Sequence, residues 1–360
     1  MASHLSKLQQ ITKRPILITH QPNLRYFCGF TGTTGALLVS KKMAWFFTDR
    51  RYTIVAKKQL PKEVKLVLLH SGDSHTLRDL LISQKIFSLE FDPAKTTISE
   101  TSALQKNLGK KIKTLPSAIS FEEIRAIKTP EEISKIRKAC HITAKIFEKL
   151  KKEIKLGMTE SDIDWKIKEL AHKYGTEELA FDSIIGFGKN SSSPHHQTGS
   201  TRLRIGDAIQ LDFGVSYKGY RSDMSRVLFA GNPSPKMKEV YNEVLASQTG
   251  AIKEVRSGAF TANIAKKYES KMFESVNDVS HTIAHGLGHG VGLDIHELPV
   301  LKAVSKEKLN AGHVVTVEPG IYIENFGGVR IEDTVLVRHN KPPEILTAAP
   351  KSLVSAILKI

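Results

Sequence analysis

Four carboxylates at symmetric places in two strand hairpins constrain this chain more than any other feature. The first pair lies in AIQLDFGVSYKGYRSDMSRVLF (208–229). Ile209, Leu211, Phe213 and Val215 alternate there with Gln210, Asp212 and Gly214, the period-two pattern of a half-buried strand. A turn centred between Tyr217 and Lys218 would set Asp212 directly across from Asp223, with Cβ atoms roughly 5 Å apart. Like charges so placed destabilise a ladder unless a cation lies between them. The return strand alternates poorly, which leaves room for a bulge that shifts the register.

The second pair lies in VVTVEPGIYIENFGGVRIEDTVLV (314–337), where strand-like arms flank a turn near Asn325. Glu318 and Glu332 stand symmetrically about that turn. Arg330 shares a face with Glu332 and is expected to steady its carboxylate. Close by in sequence, HTIAHGLGHGVGLDIHELP (281–299) holds His281, His285, His289 and His296. The i, i+4 spacing of His285 and His289 is that of a helical zinc motif. Glycines at 286, 288, 290 and 292 argue against a helix, and no Glu follows His285. Extended or turning backbone brought close to a ligand is expected instead.

Two Asp, two Glu and a His form a hard, oxygen-rich donor set without thiolate. Such a set suits Mn²⁺ or Co²⁺ and admits Zn²⁺, while the imidazole disfavours Mg²⁺. Four carboxylates match the charge of two divalent ions. Ions roughly 3.5 Å apart can share and acidify a water, and amide or ester hydrolysis is the natural reaction class.

A chain of 360 residues suits two domains. In residues 1–121, ILIT (16–19), GALLV (35–39), AWFFT (44–48), VKLVLL (64–69) and FSLEF (87–91), with a further piece over 76–82, suggest a small α/β domain. GFTGTTG (29–35) lacks the Gly-Lys-Ser/Thr ending of a phosphate loop and the spacing of a dinucleotide fingerprint, so a tight turn is expected. The boundary falls near 121–129, where Thr129, Pro130 and Glu132 read as N-cap, first turn and capping box. Ile133, Ile136, Cys140, Thr143, Phe147 and Leu150 then mark one face of a helix expected to end near Gly157. Further helices are expected after Thr159, over 236–256 and over 261–274. Residues 122–360 therefore read as α+β, with helices covering one face of an antiparallel sheet.

The net charge of +16 is uneven: residues 1–121 carry 19 Lys+Arg against 7 Asp+Glu, and residues 122–360 carry 34 against 30. A basic excess invites a nucleic-acid reading. The lysines near 57–58 and 110–113 have no aromatic stacking set beside them, which argues against it. Cys28 and Cys140 cannot build a disulfide framework, no signal peptide is legible, and no run of 18 apolar residues occurs. A cytoplasmic protein without a membrane span is expected.

Asp212 in LDFG, Asp223 in SDMSR, HGLGHGVGLDIHE (285–297), VEPGIY (317–322) and GGVRIED (327–333) resemble the motifs of the pita-bread metallopeptidases. The EPGIY and GGVRIED forms, with a leading α/β domain, resemble the aminopeptidase P/prolidase branch. RYFCGFTGTTGALLV (25–39) and TDRRY (48–52) are similar to the creatinase-type N-terminal domain. The resemblance implies a pita-bread α+β catalytic domain (122–360) behind a creatinase-like α/β domain (1–121). It implies two divalent ions, Mn²⁺ first, with Co²⁺ or Zn²⁺ as alternatives. Asp212 would chelate one ion, Asp223 and Glu332 would bridge both, and His289 with Glu318 would hold the second. Glu318 would also handle the proton of the bridging water, the nucleophile. His195, in SSSPHHQTG (191–199), and His285 would contact substrate, His296 would steady the tetrahedral intermediate, and Arg330 would support the site. His196 is expected to be a neighbour without a chemical role, and Phe181 either a pocket or a core residue.

The implied substrate is a peptide with proline second, cut at the Xaa-Pro bond. Creatine hydrolysis is disfavoured, because creatinases resemble the fold without the metal set. Several prolidases carry an arginine just after the proline of the His-Glu-x-Pro segment, where it can pair with a dipeptide's carboxylate. Here HELPV puts Val300 in that place, which favours longer peptides and an aminopeptidase. The Xaa-Pro dipeptidase is the alternative; a non-catalytic binding module is a distant one, at odds with five retained ligands. The family commonly pairs subunits, so a homodimer is expected.

Overall fold

The computed structural model describes residues 3–360 apart from 71–74, 177, 276–280 and 283–284. The chain divides into two compact units, Met1–Phe121 and Glu122–Ile360. In the first, a six-stranded sheet among the described residues runs in the order Val64–Leu69, Ala44–Asp49, Ala36–Val39, Ile16–Ile18, Ser88–Phe91, Lys113–Pro116. The middle strands Ile16–Ile18, Ala36–Val39 and Ala44–Asp49 pair antiparallel, and the outer ones join in parallel. Parallel neighbours need crossovers, and the helices Thr53–Gln59 and Ile98–Leu108 supply two of them. Leu17, Leu38, Trp45, Phe47 and Leu89 bury against Leu81 of a further helix, Thr76–Ser83, and Leu108 of Ile98–Leu108. Residues 29–35 are held by packing rather than shaped for phosphate. A Cβ on Gly32 would lie 2.4 Å from the Phe30 ring, and one on Gly35 2.3 Å from the Phe46 ring.

In the second unit, Thr129 and Glu132 close a capping box at the start of Pro130–Leu150, and Thr159 and Asp162 close another before Glu160–Lys173. The first of these helices ends at Leu150, short of Gly157, whose φ of 82° serves a turn ahead of the second. The helices Pro235–Glu254 and Thr261–Ser275 follow. Ile146, Phe147, Ile163, Ile167, Val240 and Val244 form one core with Phe187, Leu211, Phe213 and Phe229 of the strands.

The first acidic hairpin departs from its expected register. Its two-residue turn is Lys218–Gly219, with φ of 50° and 76°, the left-handed pair that matches strand twist. Tyr217 therefore pairs with Tyr220 and Asp212 with Ser225, so Asp223 stands two residues from the place directly opposite Asp212. Lys218 takes a conformation usually left to Gly or Asn, which is why the turn centre is misread from sequence.

The second hairpin keeps its expected register about Asn325. Gly320 pairs with Arg330 and Ile323 with Gly327 in one ladder, Val317 with Asp333 and Val314 with Leu336 in another. Glu318 and Glu332 fall between these ladders, which belong to different sheets. Their backbone N–H groups instead donate to Leu287 O at 2.9 Å and Ser225 O at 3.1 Å. The carboxylates thus sit where the hairpin passes from sheet to sheet, a break that frees both side chains to point at one place.

The glycine-histidine segment forms a short strand, Gly288–Gly290, between Glu297–Leu301 and Val314–Val317. A Cβ on Gly288 or Gly290 would come within 2.1 Å of Thr316 O or 2.3 Å of Leu298 O. The backbone is extended there, as expected, and those glycines leave room for the neighbouring strands. Cys28 and Cys140 are buried free thiols. Among the described residues no helix is long and apolar enough to cross a membrane.

Candidate active site

One cavity of about 690 Å³ in the second unit is lined by His195, Asp212, Asp223, His285, His289, His296, Glu318, Arg330 and Glu332. Phe181 lines it too, with Ile184, Leu298, Val300 and Lys302. His196 is not among the lining residues. Its Nε2 meets the buried Glu160 Oε2 at 2.9 Å, and that carboxylate also accepts from Phe187 N and Gly199 N.

Asp223, His289 and Glu332 each turn one donor atom inward, and those atoms lie within 4.8 Å of one another. Nε2 of His289 is 3.6 Å from Asp223 Oδ2 and 3.4 Å from Glu318 Oε1. Its Nδ1 lies 3.1 Å from Gly290 O. A carbonyl only accepts, so Nδ1 carries the proton and Nε2 presents its lone pair to the carboxylates. Asp212 shares the cavity but stands outside this trio, and Arg330 Nη2 donates to its Oδ2 at 2.5 Å. Two carboxylate oxygens of the cavity, Asp212 Oδ1 and Glu332 Oε1, are buried without a hydrogen-bond partner among the described residues.

The electrostatics follow from burial. Burial raises Asp223 well above its usual range, with repulsion from Asp212 and Glu318 adding to it. Glu332 is raised likewise, by burial first and then by Asp223. Burial pushes Glu318 up to about 7. The same burial drives His289 down to about 3 and His285 to about 4, so both imidazoles are neutral. Buried carboxylates that resist ionisation, orphan oxygens and a neutral imidazole lone pair make a cradle short of positive charge. Divalent ions fit that donor set.

Three contributors escape sequence reasoning. Tyr322 accepts from Arg330 Nη1 at 2.6 Å and meets His285 Nε2 at 2.8 Å. The arginine can only donate, so the phenol proton goes to His285, and Nδ1 of that ring donates to Gly286 O at 2.9 Å. Ser225 Oγ accepts from Arg330 Nε at 2.9 Å and donates to Glu332 Oε2 at 3.0 Å. Arg330 thus reaches Glu332 through a hydroxyl rather than directly. Beneath the His296 loop, Arg125 and Lys128 both bond the buried Glu297, at 2.8 and 2.9 Å. Alternation about Asn325 places Tyr322 and Arg330 on one face, a signal open to sequence reading; the partners of Ser225 and Glu297, more than 100 residues away in sequence, leave none.

Acids and neutral imidazoles converging at the ends of two hairpins define a metal-dependent hydrolase site. Residues 134–339 match the model of Metallopeptidase family M24 and residues 6–127 that of the Creatinase/Prolidase N-terminal domain. The chain belongs to that metallopeptidase family, with Xaa-Pro dipeptidases and aminopeptidases among its homologues. It is 32% identical over 328 residues to a Xaa-Pro dipeptidase of Pyrococcus furiosus, covering 90% of this chain and 91% of that one. A Xaa-Pro dipeptidase from Bacillus anthracis superposes with a TM-score of 0.91 at 34% identity, covering 99% and 98% of the two chains. An X-Pro aminopeptidase from Thermotoga maritima MSB8 does so with a TM-score of 0.88 at 30% identity, covering 98% and 99%. The fold is accordingly a creatinase-type α/β domain followed by a pita-bread α+β catalytic domain.

Proposed function

We propose that the chain is an aminopeptidase that cuts the Xaa-Pro bond at the N-terminus of peptides, with two divalent ions in its site and Mn²⁺ first among them. The convergence of Asp223, His289 and Glu332 within 4.8 Å carries the reading. Asp212 would hold one ion, Asp223 and Glu332 both, and His289 with Glu318 the other. Divalent ions held there would supply Lewis acidity to the scissile carbonyl and to a water near neutral pH. Glu318 would accept a proton from the attacking water and deliver it to the departing proline nitrogen. His296, whose ring centroid lies 4.3 Å from that of His289, would steady the carbonyl oxygen under attack. His195 and His285 face the peptide, and Arg330 keeps Asp212 and Glu332 aimed. Phe181, Ile184 and Leu298 offer the apolar wall a proline ring needs.

Val300 supports an aminopeptidase over a strict dipeptidase, because it brings an apolar side chain to the cavity just after the His-Glu-Leu-Pro segment. The dipeptidase reading draws on the names of two of the relatives above. Kinetics on Ala-Pro against Ala-Pro-Ala-Ala separate them: the tetrapeptide should show the higher kcat/KM, and faster, tighter cleavage of the bare dipeptide would overturn the assignment. Buried free thiols at Cys28 and Cys140 are in keeping with a reducing cytoplasm. A homodimer is proposed from the family's habit alone, and analytical ultracentrifugation tests it.

A further inference from the structure

Two cationic side chains line the cavity, and they differ in what they already hold. Arg330 is buried, and its guanidinium is taken up by Asp212, Ser225 and Tyr322. Lys302 is exposed, and no carboxylate among the described residues lies within 4.0 Å of its ammonium. It follows the strand Glu297–Leu301, on the face that also turns Leu298 and Val300 to the cavity. The strand begins at the buried Glu297 and leads out to the exposed Lys302, so the lysine stands at the mouth.

Its stem is held in place by a missing side chain. A Cβ on Gly286 would fall 2.4 Å from Lys302 Cγ and 3.0 Å from its Cε, so the methylene chain lies in a groove that this glycine opens beside His285. A lysine held over a cavity whose other uncommitted ionisable groups are acids and imidazoles is placed to receive an anion.

A short peptide whose amino end enters among the carboxylates carries its own anion, the α-carboxylate, back toward the mouth. We infer that Lys302 pairs with the C-terminal carboxylate of short peptides and so sets the length preference of the enzyme. Val300, one pleat nearer the buried end, offers no charge. Lys302 stands roughly 6.6 Å farther along the strand, which suits a carboxylate at least one residue beyond proline. The expected favoured class is therefore Xaa-Pro-Yaa with a free C-terminus. This rests on the reading of the cavity as an Xaa-Pro site.

Ala-Pro-Ala and its C-terminal amide test it on the metal-loaded protein, on Lys302→Gln and on Lys302→Arg. The free acid should be preferred roughly fivefold in kcat/KM, almost wholly through KM. Lys302→Gln should bring the acid-to-amide ratio close to one, and Lys302→Arg should keep most of the preference. Equal cleavage of acid and amide by the unmodified protein, or an undiminished preference in Lys302→Gln, would overturn the inference. Calorimetric binding of the same pair with a non-hydrolysable reduced Ala-Pro bond gives a second readout. Tighter binding of the acid that disappears in Lys302→Gln supports Lys302 even if neither peptide is cleaved, an outcome that would instead sink the peptidase reading. No acid-over-amide difference in binding counts against Lys302 whatever the cleavage result.

Discussion

Arg330 donates to Asp212 Oδ2 at 2.5 Å and, through Ser225 Oγ, reaches Glu332, so one buried guanidinium tethers carboxylates of two different hairpins. Replacing it by methionine leaves Asp212 buried without its cation. Breaking a buried pair from one side costs about 3 kcal/mol or more. The metal-free Arg330→Met protein should lose that much stability, and the metal-loaded one less, since bound cations compensate the acids. Thermal denaturation with and without chelator checks this; equal losses in both forms would contradict the tether.

Asp223→Asn separates metal binding from folding. Asp223 is buried among acids that resist its ionisation, so the neutral amide should leave the metal-free fold at least as stable. At least one ion should be lost and turnover nearly abolished, by about a thousandfold or more. Metal analysis alongside kcat/KM decides the matter. Near-normal activity with two ions bound would sink the dinuclear assignment.

The crowded acids also set a pH dependence in the metal-free protein. Asp223 and Glu332 are raised well above their usual range, and Glu318 to about 7, by burial first and mutual repulsion after it for the first two. Each holds a proton in the folded state at a pH where the unfolded chain has released it, so stability falls as pH rises through their folded values. His285 and His289, lowered by burial to about 4 and about 3, act in the opposite sense, but only below their unfolded 6.5. From pH 6.5 to 8 the carboxyls therefore dominate among these groups. Tm of the chelated protein should fall across that window, while the metal-loaded protein changes less. A chelated Tm that climbs there would contradict the raised carboxyls.

Glu297 compensates two buried cations at once, Arg125 and Lys128, beside the loop that carries His296. Glu297→Gln takes the carboxylate from Lys128, while Arg125 keeps its pair with Asp294 at 2.5 Å, and should cost about 3 kcal/mol. The double change Glu297→Leu with Lys128→Met should cost less than Glu297→Gln alone, because it removes a cation with the acid. Urea denaturation of the metal-loaded variants measures this; a double variant less stable than the single one would show that the pair stabilises outright.

What could be read from the sequence divides by range. Helix starts were legible because Thr129 with Glu132 and Thr159 with Asp162 are local devices, three residues apart. The register of the second hairpin was legible because both ladders keep one symmetry about Asn325. The first hairpin slipped because Lys218 adopts a positive φ that nothing in its side chain announces. The strand Lys113–Pro116 escaped notice because KTLP carries no apolar run; a parallel edge partner from Ser88–Phe91 makes it a strand. In the cavity, the acids and histidines advertise themselves by type and spacing. Ser225 does not, since its importance lies in bonds to Arg330 and Glu332 that exist only once the sheets have formed.

Titration of metal-free protein with Mn²⁺, following both bound metal and cleavage of Ala-Pro-Ala-Ala, tests the central claim most directly. The expected result is no cleavage without metal, then release of alanine that rises to a plateau near about two ions per chain and vanishes on chelation. Cleavage that survives exhaustive chelation, or full loading with two ions and no scission of the Xaa-Pro bond, would contradict it.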